Sequence, residues 1–421
     1  GGTTYDSFAP VKKDFLSGAL SEESLKKGLV DALNALLEPV RHHFTTNEHA
    51  KTLLEQVRRF KREGSSSTGS GVVKLVRRLN LVELGKVQPK SHLVVAPFPT
   101  ATPTLQQAMT VLSQLRMTPT TTTTTAPRVL YLADWTARVV NACDADVKAI
   151  TAFYDILVTA LRALDPQLME STTIVLQSEA ILLDPSNYWV SVINVGRHFM
   201  LNHVMGEHMK DSDGVGEGVI SRLMMVADVM GIEPASMALP ADEVSSVVSN
   251  LVTRFYAEKL DGTTMQAPTI TMNNGPLLLL HQRESIAHKT DNDEYFLLDD
   301  PKIAKSKMKK AFCEPGNTTF CPPITLSSTF CFPPSHGNDS LVIHRSPENG
   351  GDVAYTNQAD LERDFGSGAL HPGDLKAAAS ASMVSVLETV SKAIQSNNDA
   401  NKGAKALKAF AKKKAKSKGK K

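Results

Sequence analysis

The chain has 421 residues, of which 42% are hydrophobic and 21% charged, a composition ordinary for a globular protein and a length too great for one core. No apolar run approaches the roughly 18 residues a membrane span needs, and residues 1–20 lack the basic start and apolar centre of a secretory signal. Net charge is +2, but ten lysines and no acid lie between Lys402 and Lys421, so the remainder carries 36 bases against 44 acids, a net of −8.

The N-terminal segment occurs twice. Residues 5–27 and 355–377 agree at ten of 23 positions at a constant offset of 350, and six of seven agree from Asp14 to Leu20. A period that long is no solenoid repeat; it implies duplication of a whole unit. The chain is therefore expected to begin in the tail of a first copy and to hold all of a second. Leu25, Leu29, Leu33, Leu36, Leu37 and Val40 form one helical stripe, and Glu48 to Arg62 a second, basic amphipathic helix. These belong to a helical segment over 1–63. The Gly- and Ser-rich residues 64–71 read as a flexible linker between copies.

A new domain is expected over 72–300. Leu93–Ala96 reads as a buried strand, followed by a Pro-rich loop and a helix from about Thr104. The threonine run after Pro119 reads as a surface loop. Val129–Asp134 and Thr173–Gln177 are two more strands, with an amphipathic helix from Val147 to Leu164 between them. This alternation predicts an α/β fold with a parallel sheet. Asp211–Gly218 is glycine-rich, but it lacks the twelfth-position glutamate of a calcium loop and the strand that precedes a phosphate loop, and it reads as a connection. His198, His203 and His208 are spread round a helix by their spacing of five, and no metal site is expected. Cys143, Cys313, Cys321 and Cys331 lack zinc-module spacing and read as free thiols of a reducing cytosol, implying a cytoplasmic protein.

Residues 301–400 read as mostly helical, with an irregular Pro-rich insertion between Cys321 and Pro334. A last helix runs from Pro372 to about Gln395, with an apolar stripe at Leu375, Met383, Val386, Leu387 and Val390. The basic tail, 401–421, is expected to be disordered, either as a nucleic-acid tether or as a solubilising end. Within the repeat the copies part at one place. Copy one has Ser21-Glu22-Glu23-Ser24, a good helix start, where copy two has His371-Pro372-Gly373-Asp374, whose histidine is the poorer cap. Proline at the first helical position explains part of that sequence; selection for something other than helix stability is the other reading.

Here the chain resembles the tyrosyl-tRNA synthetases of the eukaryotic and archaeal type, which carry Leu-His-Pro-x-Asp-Leu-Lys at this point. Ala311-Phe312-Cys313-Glu314-Pro315-Gly316-Asn317, preceded by the basic run Lys305–Lys310, resembles the same family, as does Leu25–Arg41. The resemblance is strong at 5–44 and 301–376 and weak between. It implies a Rossmann-like catalytic domain of class I type followed by an all-α anticodon-binding domain, with tRNA(Tyr) as partner and ATP and Mg2+ in the family reaction. It implies that Asp374 reads the first anticodon base, a guanine, whose two adjacent N–H donors match the two oxygens of a carboxylate. His371, Pro372 and Cys313 would shape that pocket. Asn349 stands where the family often has a stacking aromatic, leaving Phe365 or His371 to replace it.

The catalytic signatures the resemblance calls for are missing. The first, His-Ile-Gly-His in general form, falls on Thr104-Leu105-Gln106-Gln107, without imidazoles or glycine, and Gln106 would crowd the adenine. The second, a mobile lysine loop, should lie between about 275 and 290, where nothing matches. Ile303–Met308 looks similar but leads into the Cys313 motif and is rejected. Of the tyrosine-binding pattern only Asp228 survives, either as a hydroxyl ligand or as a helix-surface acid. The expectation is a pseudo-catalytic 72–300, as in the double-length synthetases of trypanosomatids, where copy one keeps chemistry and copy two the anticodon pocket. This chain would bind no cofactor itself and pair with a catalytic N-terminal half, with no membrane partner. A complete ligase with divergent signatures and a purely structural pseudoenzyme that does not read tRNA are the rival expectations.

Overall fold

A computed structural model describes Ser17 and residues 78–117, 120–121, 124–206, 214–260, 263–282, 290–332 and 340–418. The chain divides into two units, Gly1–Val72 and Val73–Lys421. The repeat at 5–27, the helices expected over 20–60 and the linker 64–71 lie, apart from Ser17, outside the described residues, as do His208 and Asp211–Asp213.

The second unit is built on a sheet of five short strands, β1 (His92–Val95), β2 (Arg128–Leu132), β3 (Thr172–Leu176), β4 (Ser236–Leu239) and β5 (Thr269–Met272). In space the order is β3-β2-β1-β4-β5, and every pair is parallel. Side chains alternate between two cores, as the pleat requires. Val94, Leu130, Leu132 and Ala238 enter one, and Leu93, Val129, Tyr131, Met237 and Leu239 the other. Strand order reverses between β1 and β4, and the crevice beyond their carboxyl ends is where doubly wound sheets hold ligands.

Helix α1 (Leu105–Arg116) follows β1 and opens on a capping box, Thr104 and Gln107 each accepting from the other's backbone N–H. Asp134, expected at the end of a strand, instead begins α2 (Asp134–Val139). The predicted helix is α3 (Val147–Leu164), its N-terminal N–H groups accepted by the Asp146 carboxylate. The turn α4 (Pro166–Glu170) leads into β3, after which come α5 (Gln177–Leu183), α6 (Pro185–Gly196) and α7 (Leu201–Met205). A π-helical turn, Gly216–Ile220, then enters α8 (Ser221–Ile232), and α9 (Glu243–Lys259) joins β4 to β5. The sequence reading missed β4 and β5; the one is four residues long and the other half-exposed, so neither has a long apolar signal.

The rest is helical: α10 (Pro301–Lys310), α11 (Pro322–Cys331), α12 (Gln358–Gly366), α13 (Pro372–Ser396) and α14 (Asn398–Lys418). Three expectations need correction. The insertion after Cys321 is not irregular, because Pro322 and Pro323 occupy the first turn of α11, where no N–H is needed. The region is not all-α: β6 (Leu341–Ile343) and β7 (Val353–Tyr355) form an antiparallel ribbon. The basic tail is not disordered up to Lys418, since α14 packs Ala400 and Leu407 into the core that holds α3 and α13. Among the described residues no helix is long and apolar enough to cross a membrane.

The repeated residues have structural work in this copy. Tyr355 donates its hydroxyl to Asp364 (3.0 Å), while Phe365, Leu370 and Leu375 are buried together, and Gly368 has a left-handed φ of 80°. The identities shared by the copies therefore hold this helix pair in place, and they leave the divergent 371–374 at its solvent-facing start.

Candidate functional site

The crevice beside β2 is occupied by the chain's own side chains. Asp228, on α8 and only 7% exposed, faces the Tyr131 side of the sheet. Its Oδ1 accepts the Tyr131 hydroxyl (2.8 Å) and its Oδ2 the Gln177 Nε2 (2.8 Å). Gln177 in turn accepts the Thr136 backbone N–H (2.8 Å) at the start of α2, and the Tyr188 hydroxyl lies 3.3 Å from its Nε2. Burial pushes the Asp228 carboxyl up to about 7, against the lowering effect of hydrogen bonds from Tyr131, Tyr188 and Gln177. Burial likewise raises Tyr131 and Tyr188, so both phenols are donors at neutral pH. Asp228 is thus no helix-surface acid.

At the switch point Gln106 is tied down. Its Oε1 accepts from the Leu278 N–H (2.8 Å), and its Nε2 donates to the carbonyls of Pro276 (2.9 Å) and Asn274 (3.2 Å). Thr110 adds a bond to the Asn274 carbonyl (2.7 Å), and the Asn274 side chain accepts from the Ala241 N–H beyond β4 (2.7 Å). The loop after β5 is thereby fastened across the start of α1. Gly275, at φ 68°, lies so close that a Cβ would meet Thr110 Cα at 3.1 Å. The rejected lysine motif is equally fixed: Lys307 is 4% exposed and paired to Asp299 at 2.6 Å. Arg283–Ser285 of the expected second-signature region lie outside the described residues.

The other predicted site gathers at the start of α13. His371 is the N-cap, and its Nδ1 accepts from the Gly373 N–H (3.0 Å), so this histidine does cap. A Cβ on Gly373 would stand 3.0 Å from that nitrogen, which is why glycine suits the position. Pro372 is the first helical residue and Asp374 lies in the first turn, half-buried. Among the described residues the Asp374 carboxylate has no hydrogen-bond partner. Arg345 spans from the Gly351 carbonyl (3.1 Å) to that of Ala369 (3.3 Å), fastening the ribbon turn to the segment before His371. Cys313 lies 3.9 Å from Cys321, sulfur to sulfur; that contact lowers the Cys313 thiol, helped by Lys376 of α13, and raises Cys321. Phe365 is fully buried, which removes it as a stacking surface and leaves the exposed ring of His371.

Residues 91–388 match the family model of the tRNA synthetases class I (W and Y). The chain belongs to that family. The cytoplasmic tyrosine–tRNA ligase 2 of Arabidopsis thaliana is 24% identical over 456 residues, covering 97% of this chain and 58% of that protein. The cytoplasmic tyrosine–tRNA ligase of Danio rerio is 38% identical over 100 residues, 24% of this chain. Among solved structures, the Leishmania major tyrosyl-tRNA synthetase superposes with a TM-score of 0.61 at 26% identity, over 99% of this chain and 56% of its own. The Pyrococcus horikoshii enzyme, at 18% identity and a TM-score of 0.60, shares the fold. This synthetase-family chain thus spans a little over half the length of its plant and Leishmania relatives.

Within the synthetase fold, sequence reasoning singled out Asp228 and Asp374 but not Tyr131, Gln177 and Tyr188, which surround Asp228. Tyr131 carried a signal: a hydroxyl inside an otherwise apolar strand must find a buried partner. Among the described residues no group of three or more His, Cys, Asp or Glu is placed to hold a metal. The Asp228 environment makes stability pH-dependent. Its folded value near 7 exceeds the unfolded value of about 3.9, so the native state alone holds the proton in that window. Stability therefore falls as pH rises from about 4 to 7, by an amount on the order of 4 kcal/mol. Asp228→Asn is expected to gain stability relative to the parent between pH 5 and pH 8, read from urea midpoints; a constant difference between the two proteins would contradict this.

Proposed function

We propose that this chain is the tRNA-reading half of a tyrosine–tRNA ligase whose own catalytic domain no longer performs the chemistry. One contrast between two aspartates carries the reading. Asp228, which the family would use toward the tyrosine hydroxyl, has both oxygens engaged by Tyr131 and Gln177. Asp374 stands at a helix start with its carboxylate unengaged among the described residues. Solved relatives from Leishmania major and Pyrococcus horikoshii bind tyrosinol and L-tyrosine; here a phenol of the chain itself sits on the aspartate. The residues at the switch point do not fit ATP either, because Gln106 and Thr110 hold the 274–278 loop across the start of α1.

The reading side rests on acceptor chemistry. An ionised Asp374 takes both N–H donors of a guanine edge, and the capped turn holds His371, Pro372 and the carboxylate in a fixed relation. Cys313 contributes a neighbouring half-buried wall. A catalytic first half in the same pseudo-dimer, tRNA(Tyr) as ligand and a cytoplasmic setting complete the proposal.

Asp374→Ala is expected to weaken binding of tyrosine tRNA by about 2 kcal/mol, roughly 30-fold, with unrelated tRNAs unaffected. Filter binding or anisotropy at fixed salt measures this. Equal weakening for every tRNA would remove base reading.

A further inference from the structure

We propose that the lysine face of α14 is a fixed contact surface for the phosphate backbone of RNA, docked on the synthetase body rather than trailing as a tether. The proposal rests on the tRNA-binding reading above. Its basis is how the helix is divided. Ala400, Gly403 and Leu407 are buried, and Phe410 packs beside them. Gly403 marks a close approach to α3, because a Cβ there would meet the Cα and Cβ of Ala152 at 3.1 Å. Lys414 also lies on the docked side and pairs with Asp144 at 2.8 Å.

Lys402, Lys405, Lys408, Lys412, Lys413 and Lys416 are exposed. At about 100° per residue they fall within an arc of roughly 140°, opposite Gly403 and Leu407, and they extend over about 21 Å of helix. Helix stability does not account for this ridge. Several of these lysines are three or four positions apart, where like charges cost about 0.2–0.5 kcal/mol per pair. Only those in the last turn gain from the helix dipole. An anionic strand lying along the face would relieve the repulsion and release its own counterions. The rest of the chain is net negative, so the overall charge of the body does not account for attraction to an anionic strand. A membrane surface fits less well, since the apolar face an interfacial helix would insert is already packed against α3.

The test is the full chain with all six exposed lysines changed to glutamine, which keeps helix propensity. An unaltered thermal transition establishes that α14 remains docked, and a six-fold arginine variant serves as the charge-retaining control. Affinity for tyrosine tRNA and for an unrelated tRNA is measured between 50 and 300 mM salt. The glutamine variant should bind both RNAs more weakly by a similar factor. Its log–log salt slope should be shallower by about 0.7–0.9 for each lysine engaged, and the arginine variant should match the parent. Unchanged affinity and slope would overturn the proposal. So would loss of binding to phosphatidylserine vesicles with RNA binding intact. The two readings fail separately: Asp374→Ala should discriminate between tRNAs without altering the slope, whereas the ridge variant alters the slope without discriminating.

Discussion

Changing Tyr131 to alanine together with Gln177 to glycine is expected to convert the crevice beside Asp228 into a pocket that binds L-tyrosine, with no binding expected of the parent chain. In the parent, the Tyr131 phenol and the Gln177 amide take both carboxylate oxygens at 2.8 Å. Tyr131 is fully buried between the sheet and α8, so its removal leaves a ring-sized void lined by the same side chains. The cost to folding should be about 3–5 kcal/mol, the range for truncating a buried aromatic, and part of it should be recovered when a phenol fills the void. Calorimetric titration with L-tyrosine, and with phenylalanine as the control lacking a hydroxyl, reads the gain. Tyrosine-dependent ATP–pyrophosphate exchange should stay at background in both proteins, because Thr104–Gln107 offers no imidazole to a pentavalent phosphate. If the parent binds tyrosine as tightly as the variant, the self-filled crevice is the wrong picture.

Lys307→Ala should be as damaging to the fold, by about 3–5 kcal/mol, the usual consequence of stranding one member of a buried ion pair. The Lys307 ammonium bonds Asp299 at 2.6 Å and the Glu294 carbonyl at 2.9 Å, and it stands 4.1 Å above the Phe296 ring. Asp299 also accepts from the Phe296 N–H, so the lysine neutralises a carboxylate that organises the turn before α10. Pairing Lys307→Met with Asp299→Asn removes both charges and should recover most of the loss. Urea denaturation of the single and double variants separates the two outcomes. Should the single variant prove as stable as the parent, Lys307 is a solvated residue, and its exclusion from a mobile catalytic loop loses its structural ground.

These contacts mark how far the sequence could be read. Periodicity located β1, β2, β3, α1, α3 and α13 to within a few residues, because long amphipathic helices and buried strands write their burial into the chain. The fold class and the family followed from local motifs. The same logic failed where burial is shared with distant partners. The lysines of α14 outweigh its few apolar residues along the chain, and only the surface of α3 makes Ala400, Gly403 and Leu407 count. The proline pair at Pro322 reads along the chain as an irregular insertion, and only the structure places it in a first helical turn.

Composition and spacing alone determined that this protein carries a duplicated motif, an α/β sheet domain, and a helical region whose copy of the motif diverges at His371–Asp374. Only tertiary structure decided the fate of individual side chains. Asp228 survives in the sequence as a possible ligand, yet whether its oxygens are vacant depends on residues 97 and 51 positions away. Sequence order records which groups exist. A hydrogen bond depends on distances that folding alone creates.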